Sequence, residues 1–510
     1  MGSTRPAAPC AEQVRQQPEA VGRSDWEIPP AGETLIEPSG PELIEVVRAG
    51  AQALESQRFQ VGGLSAGSLR RAAREAALAI GRSFAERFGL WRGPGGQEPD
   101  AAAPRYFVVT GHQPVFAHPG ILIKNALVEA VARRLPGAVA INVVVDYDTA
   151  PDLSAPAPRR EGGRLEAGPV RLMPVGYGRP FCHVPPPSAA QWEVFRRDFQ
   201  GALASLGQEG DVLLRRFGAF AACARGGSLA AARHLAEWVT ALRHRWEQDA
   251  SGTRACYLEV PMGELAETRP FRLFFAHIAL QAGRFATLHN DTLARYRKAR
   301  GIRSRANPFP DLAVEGARVE LPFWLLTQGV RRRALHVERT GSGLLLSTAD
   351  GPVTHVGLRL PPPGTPADPE SVRALVEALG RERLSLRPRA AALTMFLRLF
   401  VADLFVHGVG GARYDRVTDA LIRSFFGVEP PCYAVASASL TLDLKTPAEA
   451  QDEASLRRQL RDLRFNPQRF VSPGAPEALR ALAAEKERLV LAIQQPGAPK
   501  RQLTRRIEEV

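Results

Sequence analysis

The chain has 510 residues, a formal net charge of +13 and 45% hydrophobic residues. It exceeds one ordinary core, so two or three domains are expected. The charge does not point to nucleic acid. Of the 66 basic residues only Lys124, Lys298, Lys445, Lys486 and Lys500 are lysines and the other 61 are arginines. GC-rich coding produces that skew in any protein, and no zinc-finger spacing, RNP-like run or aromatic-studded basic motif accompanies it.

Residues 1–27, rich in Pro, Ala and polar residues, are expected to be disordered. They contain no apolar segment of signal-peptide length. The cysteines, Cys10, Cys182, Cys223, Cys256 and Cys432, are scattered and form no C-x-x-C pair, which suits a reducing cytoplasm. Residues 28–92 are read as helices packing on the core, over 41–54 after Ser39 and over 66–88 after Ser65, each with an N-cap and one apolar face. A polar, Pro/Gly-rich linker, 93–104, follows.

The first half of the core is placed at 105–150. RYFVVT (105–110) is β-branched and aromatic and stops at Gly111, as a buried strand ending in a turn does. Pro119 and Gly120 open a helix that Pro136-Gly137 ends. The apolar run 138–145 is the next strand, and it leads into Asp146-Tyr147-Asp148. This strand, helix, strand unit predicts a parallel sheet covered on both faces, whose ligand crevice lies beyond the carboxyl ends of the strands. His112, Gln113, His118 and Lys124 of TGHQPVFAHPGILIK fall at that edge with the two aspartates. Free N–H groups around Gly120 suit an anion, and Lys124 is close enough to reach one. Two carboxylates two residues apart point the same way on an extended strand, which suits magnesium or a substrate amine.

Residues 151–383 are read as inserted subdomains. Pro-rich irregular chain with short strands runs to 187, helix from 188 to 249, and strand from 254 to 260. Helix 269–283 and a short strand 285–289 come next. In YRKARGIRSRANPFPDL (296–312), arginines 297, 300, 303 and 305 are candidates for binding phosphate. Segments 320–326, 334–339 and 343–347 form a hairpin-bearing β unit, closed by the Pro-rich linker 361–369. The second half of the core is placed at 384–445. It comprises LSLRP (384–388), a helix through Phe405, a turn with Gly408, Gly410 and Gly411 that lets the backbone approach a ligand, helix 415–426 and strand 432–436. Arg398, Asp403 and His407 interrupt the apolar stretch 393–409 and exclude a membrane span. Residues 446–510 are charged with leucines at helical spacing, as in a helical hairpin or coiled coil on the domain or across a homodimer.

TGHQP through Lys124, then VVVDYD, resembles the signatures of the bacillithiol-biosynthesis cysteine-adding enzyme (BshC) family. LSLRP followed by HGVGGARYD resembles a later region of the same family, in the same order. The resemblance implies a Rossmann-like core related to HIGH-motif nucleotide-binding enzymes, with connecting insertions and a helical coiled coil. Carried over by position, it marks Thr110, Gly111, Gln113, Lys124, Asp146, Asp148, Arg387, Pro388, Gly410 and Tyr414. His112, Val145 and Tyr147 depart from the family pattern at positions that bear on substrate choice. The HQPVF and Pro-Gly elements are also similar to the WbqC-like family.

The leading expectation is a cytoplasmic ligase or transferase that uses ATP or ADP, with magnesium as a possible companion, to join an amine to a small acceptor. His112 and His118 would donate to phosphate oxygens and Lys124 would neutralise charge. Thr110, Gly111, Gln113, Gly120, Gly408, Gly410 and Gly411 would line the nucleotide. Asp146, Asp148, Arg387, Tyr414, Arg303 and Arg305 would meet substrate. The alternatives are a non-enzymatic anion or RNA binder using loop 296–312, and a scaffold with a relict pocket.

Overall fold

Strand Tyr106–His112 (β2) runs parallel to Ala138–Val144 (β3), and β3 to Leu258–Pro261 (β6). These labels count Thr34–Glu37 as β1 and the hairpin Asp152–Glu161 and Arg164–Pro174 as β4 and β5. On the other side of β2, Leu404–His407 (β12) is parallel to it and Tyr433–Ala438 (β13) is parallel to β12. β1 closes that edge antiparallel. The protein is thus a mixed α/β fold around a mostly parallel six-stranded sheet, ordered β1-β13-β12-β2-β3-β6. The expectation that strands near 106, 138 and 433 share one parallel sheet is met. The computed structural model describes residues 26–90, 104–116, 118–224, 227–250, 256–327, 331–360, 362, 368–442, 444, 453–472, 474–493 and 499–509.

The strands are near-continuous apolar runs because both sheet faces are covered. Helices Gly40–Ser56 (α1) and Pro119–Arg134 (α3) cover one face, where Val47, Val128, Val108, Ala140, Val406 and Ala436 pack together. Full burial of such a side chain contributes about 1.5–3 kcal/mol. Helix Val409–Leu421 (α12) covers the other face through Val409, Ala412 and Val435. Helix Ala66–Phe88 (α2) starts at Ser65, whose side chain accepts from Ser68 N–H, and ends at Gly89 in the left-handed region. Buried Arg70 on α2 donates to Leu399 O.

A second, antiparallel sheet contains Arg318–Leu326 (β7), Arg332–Thr340 (β8), Gly343–Thr348 (β9), Gly351–Gly357 (β10) and Ser385–Pro388 (β11). Helices Ala189–Ala204 (α4), Asp211–Cys223 (α5) and Leu235–Ala250 (α6) form the helical insertion. The chain divides into two units. One comprises residues up to 157 together with 167–442, and the other comprises 158–166 with 443–510. In the second unit, helices Glu453–Phe465, Glu477–Ile493 and Lys500–Glu509 form, and Arg506 pairs with Glu485 at 2.9 Å.

Several local expectations change. LSLRP is β11 of the second sheet, with Arg387 opposite Trp324, and not a core strand. The helix expected through Phe405 (Ala390–Phe400, α11) stops at Phe400, and Leu404–His407 is a parallel strand. Asp403 marks the break, since its carboxylate accepts Phe107 N–H at 2.8 Å and pairs with Arg74. A short buried apolar run carries no periodicity to separate helix from strand. Residues 285–289 lie inside helix Ala282–Arg300 (α9), where Phe285 and His289 share one buried side at helical spacing. The segment after Asp148 is a long hairpin, not short irregular strands, and β1 was not anticipated. Most of the linker 93–104 and most of 361–369 fall outside the described residues.

Candidate functional site at the carboxyl edge of the parallel sheet

The order of strand addition reverses between the parallel neighbours β2 and β12. From β2 the chain crosses through α3 to β3 on one side, and from β12 through α12 to β13 on the other. At such a switch point the two connections diverge and leave a crevice beyond the strand ends. His112 ends β2 and His407 ends β12 at this edge.

His118 is the N-cap of α3. It is exposed, and its Nδ1 accepts Gly120 N–H at 3.1 Å. That bond places the ring proton on Nε2, which leaves a donor pointing away from the helix. A Cβ on Gly120 would stand 3.3 Å from His118 Nδ1 and 3.9 Å from Ser437 Oγ, so the helix start lies close over the end of β13. Gln113 is also exposed. Thr110 is buried and donates from Oγ1 to Val406 O at 2.8 Å, so its hydroxyl ties β2 to β12 and does not face the crevice.

His112 and Lys124 belong to a buried polar network between α3 and α6. His112 Nδ1 lies 2.8 Å from Gln113 O and Nε2 lies 3.0 Å from Arg243 Nη1. The compatible tautomer donates from Nδ1 and accepts at Nε2. Burial, then Arg243 and Lys124, push its pKa well below the usual histidine value. It stays neutral with both nitrogens committed, so the expected role of His112 as a donor to phosphate does not hold in this geometry. Lys124 donates to Gly111 O at 2.9 Å, and burial followed by Arg243 lowers its pKa to about 8. Arg243 also pairs with Glu259, which accepts Asn142 Nδ2 at 2.6 Å, and with Glu247 at 3.1 Å. Burial would raise the Glu259 carboxyl, but Arg243, His244 and Asn142 outweigh it and hold it below its ordinary value.

Asp146-Tyr147-Asp148 does not stay extended. Asp146 N–H donates to Val144 O and Asp148 N–H to Val145 O, a turn that sends the two carboxylates to different partners. Asp146 Oδ1 accepts the N–H of Gly263 at 2.8 Å, in the short helix Met262–Ala266 (α7). Burial raises its pKa to about 6 against the attraction of Arg387. Asp148 pairs with Arg332 at 2.9 Å. The expectation of one cation shared by both aspartates is therefore corrected. Arg387 pairs with Glu267 at 2.8 Å, while its Nε is buried with no hydrogen-bond partner. Tyr147 donates to Pro388 O at 2.7 Å, which seats the turn on β11.

Gly408 caps α12, and a Cβ on it would reach Ala436 O at 4.0 Å. Gly410 has open space where a Cβ would stand, whereas a Cβ on Gly411 would stand 3.0 Å from His407 Nδ1. Tyr414 is 42% exposed on α12. Arg303 and Arg305 are exposed, but Arg297 is not available to phosphate. It is buried and donates to the carbonyls of Arg305, Asn307 and Phe309 while pairing with Asp311 at 2.6 Å, so it holds the loop closed.

Sequence reasoning overlooked the Arg243–Glu259 network and the group His407, Asp415, Arg398. The available signal was ionisable residues inside otherwise apolar helices, because a buried charge persists only with partners. Among the described residues no group of three or more His, Cys, Asp or Glu side chains is placed to hold a metal ion. No protein-family model matches the chain, and no curated protein matches it significantly.

Proposed function

We propose that the chain is a nucleotide-dependent enzyme of the BshC-like type, a ligase or transferase that joins an amine to a small acceptor. On this reading the parallel sheet is the Rossmann-like core of HIGH-motif enzymes, and the C-terminal helices correspond to that family's coiled coil. The observation that carries the reading is the reversal of strand order between β2 and β12, which brings the starts of α3 and α12 to the end of β13. Side-chain-free backbone at Gly120 and Gly408 leaves a cradle that a Cβ would narrow, and the N–H groups at the start of α12, which no side chain caps, favour anionic oxygens.

The residues present fit a nucleotide's phosphates. His118 Nε2–H would hold them, with Gly408 and Gly410 giving close backbone approach at the start of α12, which no side chain caps. Buried Lys124 sets a positive potential one turn into α3. When bound, the nucleotide supplies an activated leaving group. Arg387, with an unsatisfied Nε, adds a positive charge for an anionic end of substrate.

Thermal-shift measurements with ATP and ADP test the reading. A nucleotide at 100 times its dissociation constant adds about 2.7 kcal/mol of stability. His118→Ala removes the shift and leaves the unliganded melting curve within about 1 kcal/mol, the usual worth of an N-cap. Absence of any shift at millimolar nucleotide refutes it.

A further inference from the structure

His407 is nine-tenths buried at the end of β12, yet only one of its ring nitrogens is engaged. Nε2 lies 2.9 Å from Asp415 Oδ2. Asp415 is fully enclosed, pairs with Arg398 at 2.5 Å and accepts Thr394 Oγ1 at 2.7 Å. Arg398 in turn pairs with Asp419 at 2.7 Å and lies over the Tyr433 ring. A carboxylate held ionised by a buried guanidinium fixes the Nε2–H tautomer, so the lone pair is on Nδ1. Nδ1 makes no hydrogen bond among the described residues. It faces the first turn of α12, where residue 411 has no side chain to block it. The ring is fixed between Phe405, at 4.5 Å, and the perpendicular Tyr433 ring, at 5.1 Å.

We propose that His407 is the proton acceptor of the reaction, presenting Nδ1 to the attacking amine in the switch-point crevice, with Asp415 as its positioning residue. This rests on the ligase reading given above. The N–H proton of the neutral amine passes to Nδ1 as its nitrogen forms the C–N bond at the acceptor's activated carbon. The activating nucleotide or phosphate departs with the bonding pair. The imidazolium that results is stabilised by Asp415, a charge already in place before reaction. His112 cannot take this role, since Arg243 occupies its accepting nitrogen.

The lone pair is testable without knowing the substrate. Full-length protein is treated with diethylpyrocarbonate and the modified histidines are mapped by mass spectrometry, with and without Mg-ATP. The expected result is reaction at His407 and His118 but not at His112. A nucleotide at ten times its dissociation constant slows modification at His407 about tenfold. An unreactive His407 beside a reactive His118 overturns the proposal. So does modification of His407 at an unchanged rate when Mg-ATP raises the melting temperature, because the base then lies outside the ligand's crevice. Reaction at His407 in a protein that Mg-ATP does not stabilise supports the presented base and refutes only the nucleotide.

Discussion

The backbone N–H of Gly263 donates to Asp146 Oδ1 at 2.8 Å, so the carboxylate following β3 caps the helix following β6. A Cβ on Gly263 would stand 2.5 Å from Asp146 Oδ2, so the contact requires glycine. One residue of an apparent diacid motif therefore has a local structural task, and its partner Asp148 has another with Arg332.

Because burial raises the Asp146 pKa to about 6, above its unfolded value, folding favours the protonated acid. That contribution is fully present below the unfolded value of about 3.9 and is lost as pH rises through about 6. Asp146→Asn resembles the neutral acid and keeps an oxygen for Gly263. Its melting curve is expected to be flatter with pH, and near pH 8 the variant should equal or exceed the parent by up to about 3 kcal/mol. A loss of more than about 1 kcal/mol at that pH would show the ionised form to be the stabilising one.

Lys124 behaves in the opposite sense. Its pKa falls from 10.5 to about 8 on folding, so the unfolded chain binds the proton more tightly. The resulting penalty is complete below about pH 8 and is relieved as pH climbs toward the unfolded value of 10.5. Urea unfolding between those limits should show stability rising in the parent protein and level in Lys124→Met. Parallel curves for the two proteins would contradict the assignment.

Neighbouring glycines in α12 separate space from conformation. Gly410 has open surroundings, so Gly410→Ala should stabilise the helix by up to about 1 kcal/mol. Gly411→Ala places a methyl group 3.0 Å from His407 Nδ1, which the ring escapes only by straining its bond to Asp415. The same propensity gain is then outweighed by an overpacking cost of about 1–3 kcal/mol. Equal stability changes in the two variants would mean that His407 moves freely.

The sequence by itself determined the elements whose cause is local. Ser65 and Gly89 bound α2, Pro119 opens α3, and the near-continuous apolar runs at 106–109 and 138–144 mark strands buried on both faces. It also placed His118, Gly120 and Lys124 at the carboxyl edge, because strand, helix, strand order puts the first connection there. Tertiary structure alone decided which of the edge residues remain available. His112 is committed by Arg243, distant in sequence, and Asp146 by Gly263. Tertiary structure likewise assigned LSLRP to the second sheet through its pairing with β7, and made a strand of 404–407 by seating it beside β2. Partners for a buried charge or a short apolar run come from whichever segments the fold brings alongside, and neither composition nor periodicity encodes that choice.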